Sequence, residues 1–389
     1  MKKTLLAATI SSLALSSAIS VQAQSLDDLV KGSTLDVNFR YRVESADVDD
    51  ATDNDAALAN TLKSRITFKS ADIAGVSVLV EGDNVLHLND DFWDKDGANT
   101  DKNDVVLDQE TTQINQAYVQ YQGFDTTVKV GNQRINLDNQ RHVGGVAFRQ
   151  DEATFDAVTV VNQSVENLTV VAGLANNLNN IKNDNVELDI TILNLKYAVS
   201  PELAATTFYY GAETPDGETL NTVGLRAVGS AAGIKYEAEL ASQEESSADT
   251  TTLYYNLSAS KKIASVTAKL GLEVFGSDDG KASFATPLGT NHKFLGWSDT
   301  YLNAPSTDGI QDINLSAVTK VSGVKLVAQY HKFDTVEGSD DLGSEIGFLA
   351  AKKFGSYGAS LKVAQFSAGD DDASKVDATK LWLTGTAKF

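Results

Sequence analysis

The residues best suited to move a proton near neutral pH are the four histidines, His87, His142, His292 and His331. No two of them stand at a zinc-ligand spacing. The sequence also lacks His-Glu-x-x-His, Gly-x-Ser-x-Gly, a phosphate loop and a dinucleotide fingerprint. With no cysteine there is no thiol nucleophile, no disulfide, no thiolate metal site and no lipidated anchor. Asp47-x-Asp49-Asp50 and Asp94-x-Asp96-Gly97 lack the spaced ligands and closing Glu of a calcium loop. These features predict no catalytic residue, no cofactor and no metal. A Ser–His pair assembled across strands is the catalytic arrangement that spacing alone leaves open.

What remains is the chemistry of charge held in rows. Arg40 and Arg42 alternate with Phe39, Tyr41 and Val43, and Lys63, Arg65 and Lys69 follow on the next segment. Lys362, Lys380 and Lys388 lie near the C-terminus. Glu81, Asp83, Glu237, Glu239 and Glu273 occupy equivalent positions elsewhere, and Arg134, Arg141, His142 and Arg149 fall between two apolar runs. Fixed charges of this kind act on a solute passing them. One expectation is a basic wall facing an acidic wall, with a field between them. The other is a polar interior whose charges pair across the bore.

The elements that hold these rows are strands. Leu35, Val37, Phe39, Tyr41 and Val43 share one face, and Asp36, Asn38, Arg40, Arg42 and Glu44 the other. The same period of two runs through 234–240, 266–274 and 324–331, whereas 111–121, 153–162 and 186–197 cannot be assigned to a face. Beyond the expected signal segment no apolar run reaches the ~18 residues of a membrane helix. The pattern predicts 18 strands, with 16 as the alternative, starting near 34, 61, 76, 111, 126, 153, 168, 186, 203, 219, 232, 250, 264, 311, 323, 344, 358 and 377. Short connections such as 71–75, 122–125, 230–233, 321–323 and 355–358 alternate with long polar ones near 45–60, 89–110, 136–152, 175–185, 276–310 and 367–376. That two-sided rhythm is expected of an all-β transmembrane antiparallel barrel with short periplasmic turns and long outer loops. Tyr41, Phe208, Tyr210 and Tyr255 are expected in an interfacial girdle, and Trp93 and Trp297 at the rim or in loop packing.

Charge and termini bound the rest. The formal charge is −21, which argues against nucleic acid as a partner. Much of the excess falls in expected outer loops: Asp47, Asp49, Asp50, Asp53 and Asp55; Asp90, Asp91, Asp94, Asp96, Asp101, Asp104 and Asp108; Asp334, Glu337, Asp340 and Asp341; and Asp370 to Asp372. An acidic mouth draws cations, mostly at low salt; the alternative is solvated loops beside lipopolysaccharide, bridged to it by divalent ions. Residues 1–23 read as a signal peptide: Lys2 and Lys3, an apolar run, then Val21-Gln22-Ala23 with cleavage after Ala23. Residues 24–389 then form a single barrel domain. The final strand carries Leu381, Leu383, Gly385, Ala387 and Phe389 on one face, and a terminal Phe in that setting resembles the signal read by the barrel-insertion machinery.

Two stretches carry a resemblance. Gly131-Asn132-Gln133-Arg134-Ile135-Asn136-Leu137-Asp138-Asn139-Gln140-Arg141, followed by Phe148-Arg149-Gln150-Asp151-Glu152-Ala153-Thr154-Phe155-Asp156-Ala157, is one. His292-Lys293-Phe294-Leu295-Gly296-Trp297-Ser298-Asp299, with Tyr301, Leu302, Pro305 and Gly309, is the other. Both are similar to segments of the alginate-export family of outer-membrane porins. The resemblance implies a monomeric barrel of about this strand number, with a charged constriction shaped partly by inward loops. The expected function is therefore a passive pore for small polar solutes or oligosaccharides, set in the lipid bilayer. The alternative is a non-conducting barrel serving as adhesin, receptor or tether. The constriction is expected at Arg40, Arg42, Lys63, Arg65, Arg134, Arg141, Arg149, Glu81, Asp83, Glu237, Glu239 and Glu273, with 132–150 and 276–310 as the segments that narrow it.

Overall fold

A computed structural model describes residues 30–49, 55–89, 92, 104–302, 306–370 and 376–389. The expected signal peptide (1–23), Trp93, Pro305 and several loop aspartates lie outside the described residues. The strands are β1 (Thr34–Val48), β2 (Ala57–Lys69), β3 (Val76–His87), β4 (Thr111–Gly123), β5 (Thr126–Gln133) and β6 (Thr154–Asn162). They continue with β7 (Leu168–Asn179), β8 (Asn185–Ser200), β9 (Leu203–Glu213), β10 (Thr219–Ala231), β11 (Ile234–Glu245) and β12 (Thr250–Ile263). The last are β13 (Val266–Phe275), β14 (Ile310–Val321), β15 (Val324–Asp334), β16 (Asp341–Phe354), β17 (Tyr357–Ala368) and β18 (Ala378–Lys388). Each pairs antiparallel with its sequence neighbours, and β1 also pairs with β18, so the 18-stranded sheet closes on itself and leaves no edge. At the seam Arg40 faces Thr386 on one side and Lys63 on the other.

Alternation sorts the side chains. Leu35, Ile66, Leu225, Leu270 and Phe348 are all more than half exposed on the outer wall, while Arg42, Lys63, Glu81, Asp83, Glu239 and Glu273 are buried inside. A soluble sandwich would bury its apolar faces; here they form the outer surface.

The segments without an assignable face have separate causes. In β4, Glu81 pairs with Gln116 but Gly82 with Ile114, so a bulge turns both Asn115 and Gln116 inward. In β8 the register slips between the partners of Ala175 and Asn177. β6 is continuous, but its inner face is itself apolar, with Phe155 and Ala157 buried.

Two expectations are corrected. Phe208 and Tyr210 do not join a girdle: they point inward at 3% and 4% exposure, stack on each other and lie against His142, whereas Tyr41 and Tyr255 do face outward. The expected long connection at 175–185 is only 180–184, because β7 and β8 extend into it. The connection near 45–60 likewise shrinks to 49–56.

Candidate functional site

Two long connections fold into the bore: 134–153, between β5 and β6, and, among the described residues, 276–302 and 306–309, between β13 and β14. They meet each other and both walls. The apolar residues that allow this are Ile135 and Val143 from the first loop and Phe284, Leu288, Leu295 and Tyr301 from the second. These pack with inward-facing Phe155, Ile190, Tyr254, Phe275, Phe333 and Phe366 into one cluster. A barrel interior is ordinarily polar, so apolar inner positions near the long-loop end make sense only with loops seated on them.

On the β1–β4 wall the loop tip is tied down by backbone carbonyls. Arg40 donates from Nε to Gln150 (2.7 Å) and from its terminal nitrogens to the carbonyls of Ala147 (2.9 Å) and Arg149. Arg42 donates to the carbonyl of Phe148 at 2.7 Å and lies 4.5 Å from its ring centre. Below them Lys63 and Arg65 meet Asp83 at 2.7 and 2.6 Å. Arg134 reaches Glu81 at 3.0 Å, and both Arg65 and Arg134 contact Glu152. Glu81 and Asp83 therefore do not belong to an opposing acidic wall. They sit on β3, beside the bases of β2, and neutralise them: the expected division into a basic and an acidic wall is corrected on this side.

The root of the first loop joins this network. Four carboxylates (Glu81, Asp83, Asp151, Glu152) share it with three bases (Lys63, Arg65, Arg134). Asp151 Oδ1 accepts from Gln113 at 2.6 Å and from the Glu152 amide at 2.8 Å, but its buried Oδ2 has no partner. Burial pushes the Asp151 carboxyl up to about 7. Burial pushes Glu152 the same way, but the Arg134 hydrogen bond and the charges of Arg65 and Arg134 outweigh it and hold Glu152 at about 2.

Across the bore, Arg141 is fully buried and donates to Glu273 at 2.7 Å and to Asn291 at 2.9 Å, which links the two loops to β13. His142 meets Glu239 at 2.6 Å, and Asn139 donates to Glu237 at 2.8 Å. Arg226, on β10, bridges Glu237 (2.9 Å) and Glu239 (3.2 Å). The acidic residues expected here are present, and each is already matched by a donor.

The second loop is fastened at the seam side. Glu345 accepts from the amides of Trp297 (2.6 Å) and Ser298 (2.8 Å), and Tyr301 donates to the carbonyl of Leu342 at 2.7 Å. Arg149 joins Glu44 at 2.9 Å and Asp299 at 3.1 Å. His292 stacks on Phe148 and meets Asp299 at 2.6 Å. Lys362 lies 2.8 Å from His292 Nε2, among the rings of Phe148, Trp297 and Trp382. Burial takes the imidazole down to about 4, against the pull of Asp299. Trp297 thus packs a loop tip inside the bore.

All twelve residues expected at the constriction lie in these three sets of contacts. Glu44, Glu152, Arg226, Asp299 and Glu345 were missed. Glu44, Arg226 and Glu345 share an alternating face with inward residues and were open to detection; Glu152 and Asp299 sit in loops that carry no period. Below the loops, toward the short turns, a cavity of about 780 Å³ is lined by Arg40, Lys63, Arg65, Glu81, Arg149 and Glu152, with Lys353 and Lys388 nearer the turn 355–358. At the long-loop end stand Asp49, Asp55, Asp334, Glu337, Asp340, Asp341 and Asp370.

No protein-family model matches the chain, and neither does any curated protein sequence. Solved structures do. Pseudomonas aeruginosa OccK3 (OpdO) superposes with a TM-score of 0.71 at 13% identity, covering 95% of this chain and 99% of that one. OccK9 (OpdG) of the same organism gives 0.71 at 15%, covering 93% and 100%. OpdK of the same organism, crystallised with vanillate, gives 0.70 at 13%, covering 93% and 100%. The chain shares with these Pseudomonas proteins one fold, a closed antiparallel barrel of 18 strands.

Proposed function

We propose that this chain is an outer-membrane porin: a passive channel for small polar solutes, narrowed by its own two inward loops. The observation that carries the reading is the pairing of an apolar outer wall with a bore that keeps a charged cavity of about 780 Å³ beneath the loops. Lipid solvates such a wall, and water and solute fill such a cavity. The short turns and both strand termini then face the periplasm, the acidic long loops face outward beside lipopolysaccharide, and the signal peptide leaves after Ala23. The loops fill the bore from within one chain, which fits a monomer. Phe389 is the residue offered to the insertion machinery.

The segments 131–141, 148–157 and 292–309 suggest the alginate-export family. The lumen arginines are already matched by carboxylates and carbonyls, which favours a small solute over a polyuronate. OpdK was crystallised with vanillate, a small aromatic carboxylate, so small carboxylates belong among the test solutes with sugars, uronates, amino acids and phosphate. Single-channel recording on the purified protein should give discrete open steps, and liposome swelling should rank the solutes. A second reading, a non-conducting adhesin, receptor or tether, is favoured by the apolar cluster that fills the long-loop half of the bore; a silent membrane in the same recording would establish it.

A further inference from the structure

Six consecutive strands, β11 to β16, each place one lysine on the inner face near their short-turn ends: Lys235, Lys262, Lys269, Lys320, Lys325 and Lys353. The face follows from residues an even number of positions away along each strand. Lys235 aligns with Glu239, which meets His142; Lys262 with Tyr254, which donates to Glu273; Lys269 with Glu273 itself. Lys320 aligns with Asp312 and Lys325 with His331, which contact each other at 2.9 Å, and Lys353 aligns with Glu345.

All six are exposed, and none has a salt-bridge partner among the described residues. The short turns at the ends of these strands, 232–233, 264–265, 322–323 and 355–356, contain only Ala, Ser and Gly. Glu237, two residues from Lys235 on the same face, is held by Arg226 at 2.9 Å, and Asp36, which lines the cavity that Lys353 opens onto, lies 3.8 Å from Lys388. Lys320 and Lys325 stand directly opposite each other, and Lys235 and Lys269 flank Ser260 in one cross-strand row. Like charges directly opposed cost stability, and among the described residues no carboxylate forms an ion pair with either lysine of these pairs. Lys353 also opens onto the cavity of about 780 Å³. With strands about 4.8 Å apart, a phosphate-sized anion meets two or three ammonium groups at once.

We propose that this arc binds polyvalent anions that reach it from the short-turn mouth. The inference needs the fold and the lysine placement, not conduction. The test is calorimetric titration of the full chain in detergent with inorganic pyrophosphate, at ~50 mM salt where screening is weak. Wild type should bind. Lys320→Gln with Lys325→Gln should weaken binding at least about tenfold, equivalent to 1.4 kcal/mol, as should Lys235→Gln with Lys269→Gln. Lys281→Gln, at the long-loop end, should leave it unchanged. The first pair removes a repulsion, so its fold should persist. Absence of binding by wild type, or equal weakening by Lys281→Gln, overturns the proposal. A barrel that conducts without binding pyrophosphate counts against this site alone, and one that binds but is silent counts against the porin alone.

Discussion

Arg40 spends its donors on Gln150 and on the carbonyls of Ala147 and Arg149, so its guanidinium holds the loop tip against the wall. Hydrogen bonds to a charged group contribute roughly 1.5–3 kcal/mol each, and Arg40→Ala should therefore free the tip. The expected result in planar bilayers is larger and noisier conductance with little change in ion selectivity; a selectivity change at unaltered conductance would mean that Arg40 acts on solute directly. Asp151 makes a different prediction. Its carboxyl is raised from 3.8 to about 7, so in that window the folded protein holds a proton that the unfolded chain has released. The stabilisation is complete below 3.8 and is lost as pH rises through about 7. Thermal unfolding in detergent should show stability falling from pH ~4 to ~7 and levelling off above that. Asp151→Asn, neutral throughout, should flatten that slope, and an unchanged slope would assign it to other groups.

At the scale of elements, the second loop depends on one carboxylate. Glu345 is fully buried and receives two loop amides, from Trp297 and Ser298. Glu345→Ala leaves both without an acceptor, at a cost of about 1–3 kcal/mol each. Trypsin should then cut at Lys293, which the wild type should protect; equal resistance would show that the apolar packing of Leu295 and Tyr301 holds the loop by itself. The strands were legible in the sequence because alternation and turn residues are local signals: β1, β3, β4 and β5 begin where the pattern places them. The loop interior was not, because its contacts join residues more than a hundred positions apart, as Arg141 does with Glu273. Phe208 and Tyr210 were assigned to the wrong face for the same reason: an inner face turns apolar only where a distant loop lies on it.

For the molecule as a whole, the charges are ordered along the barrel more than across it. Carboxylates crowd the long-loop end, matched pairs fill the middle, and lysines line one arc of the opposite mouth, from β11 to β16. The sequence already placed the acidic residues in the long loops, but strand pairing is needed to set the lysines of neighbouring strands side by side. The cylinder is shut by β1 with β18, and its last rungs are the reciprocal backbone bonds between Val37 and Phe389 at 3.0 and 2.9 Å. Until β18 arrives, the first strand has a neighbour on one side only. Its bare row of amides and carbonyls is a template for any other chain, and closure between such distant partners is slow. Survival before closure is thus a problem of escort: the unfinished sheet has to be kept from its own copies, and shortening the chain by its last strand should leave an open sheet that aggregates.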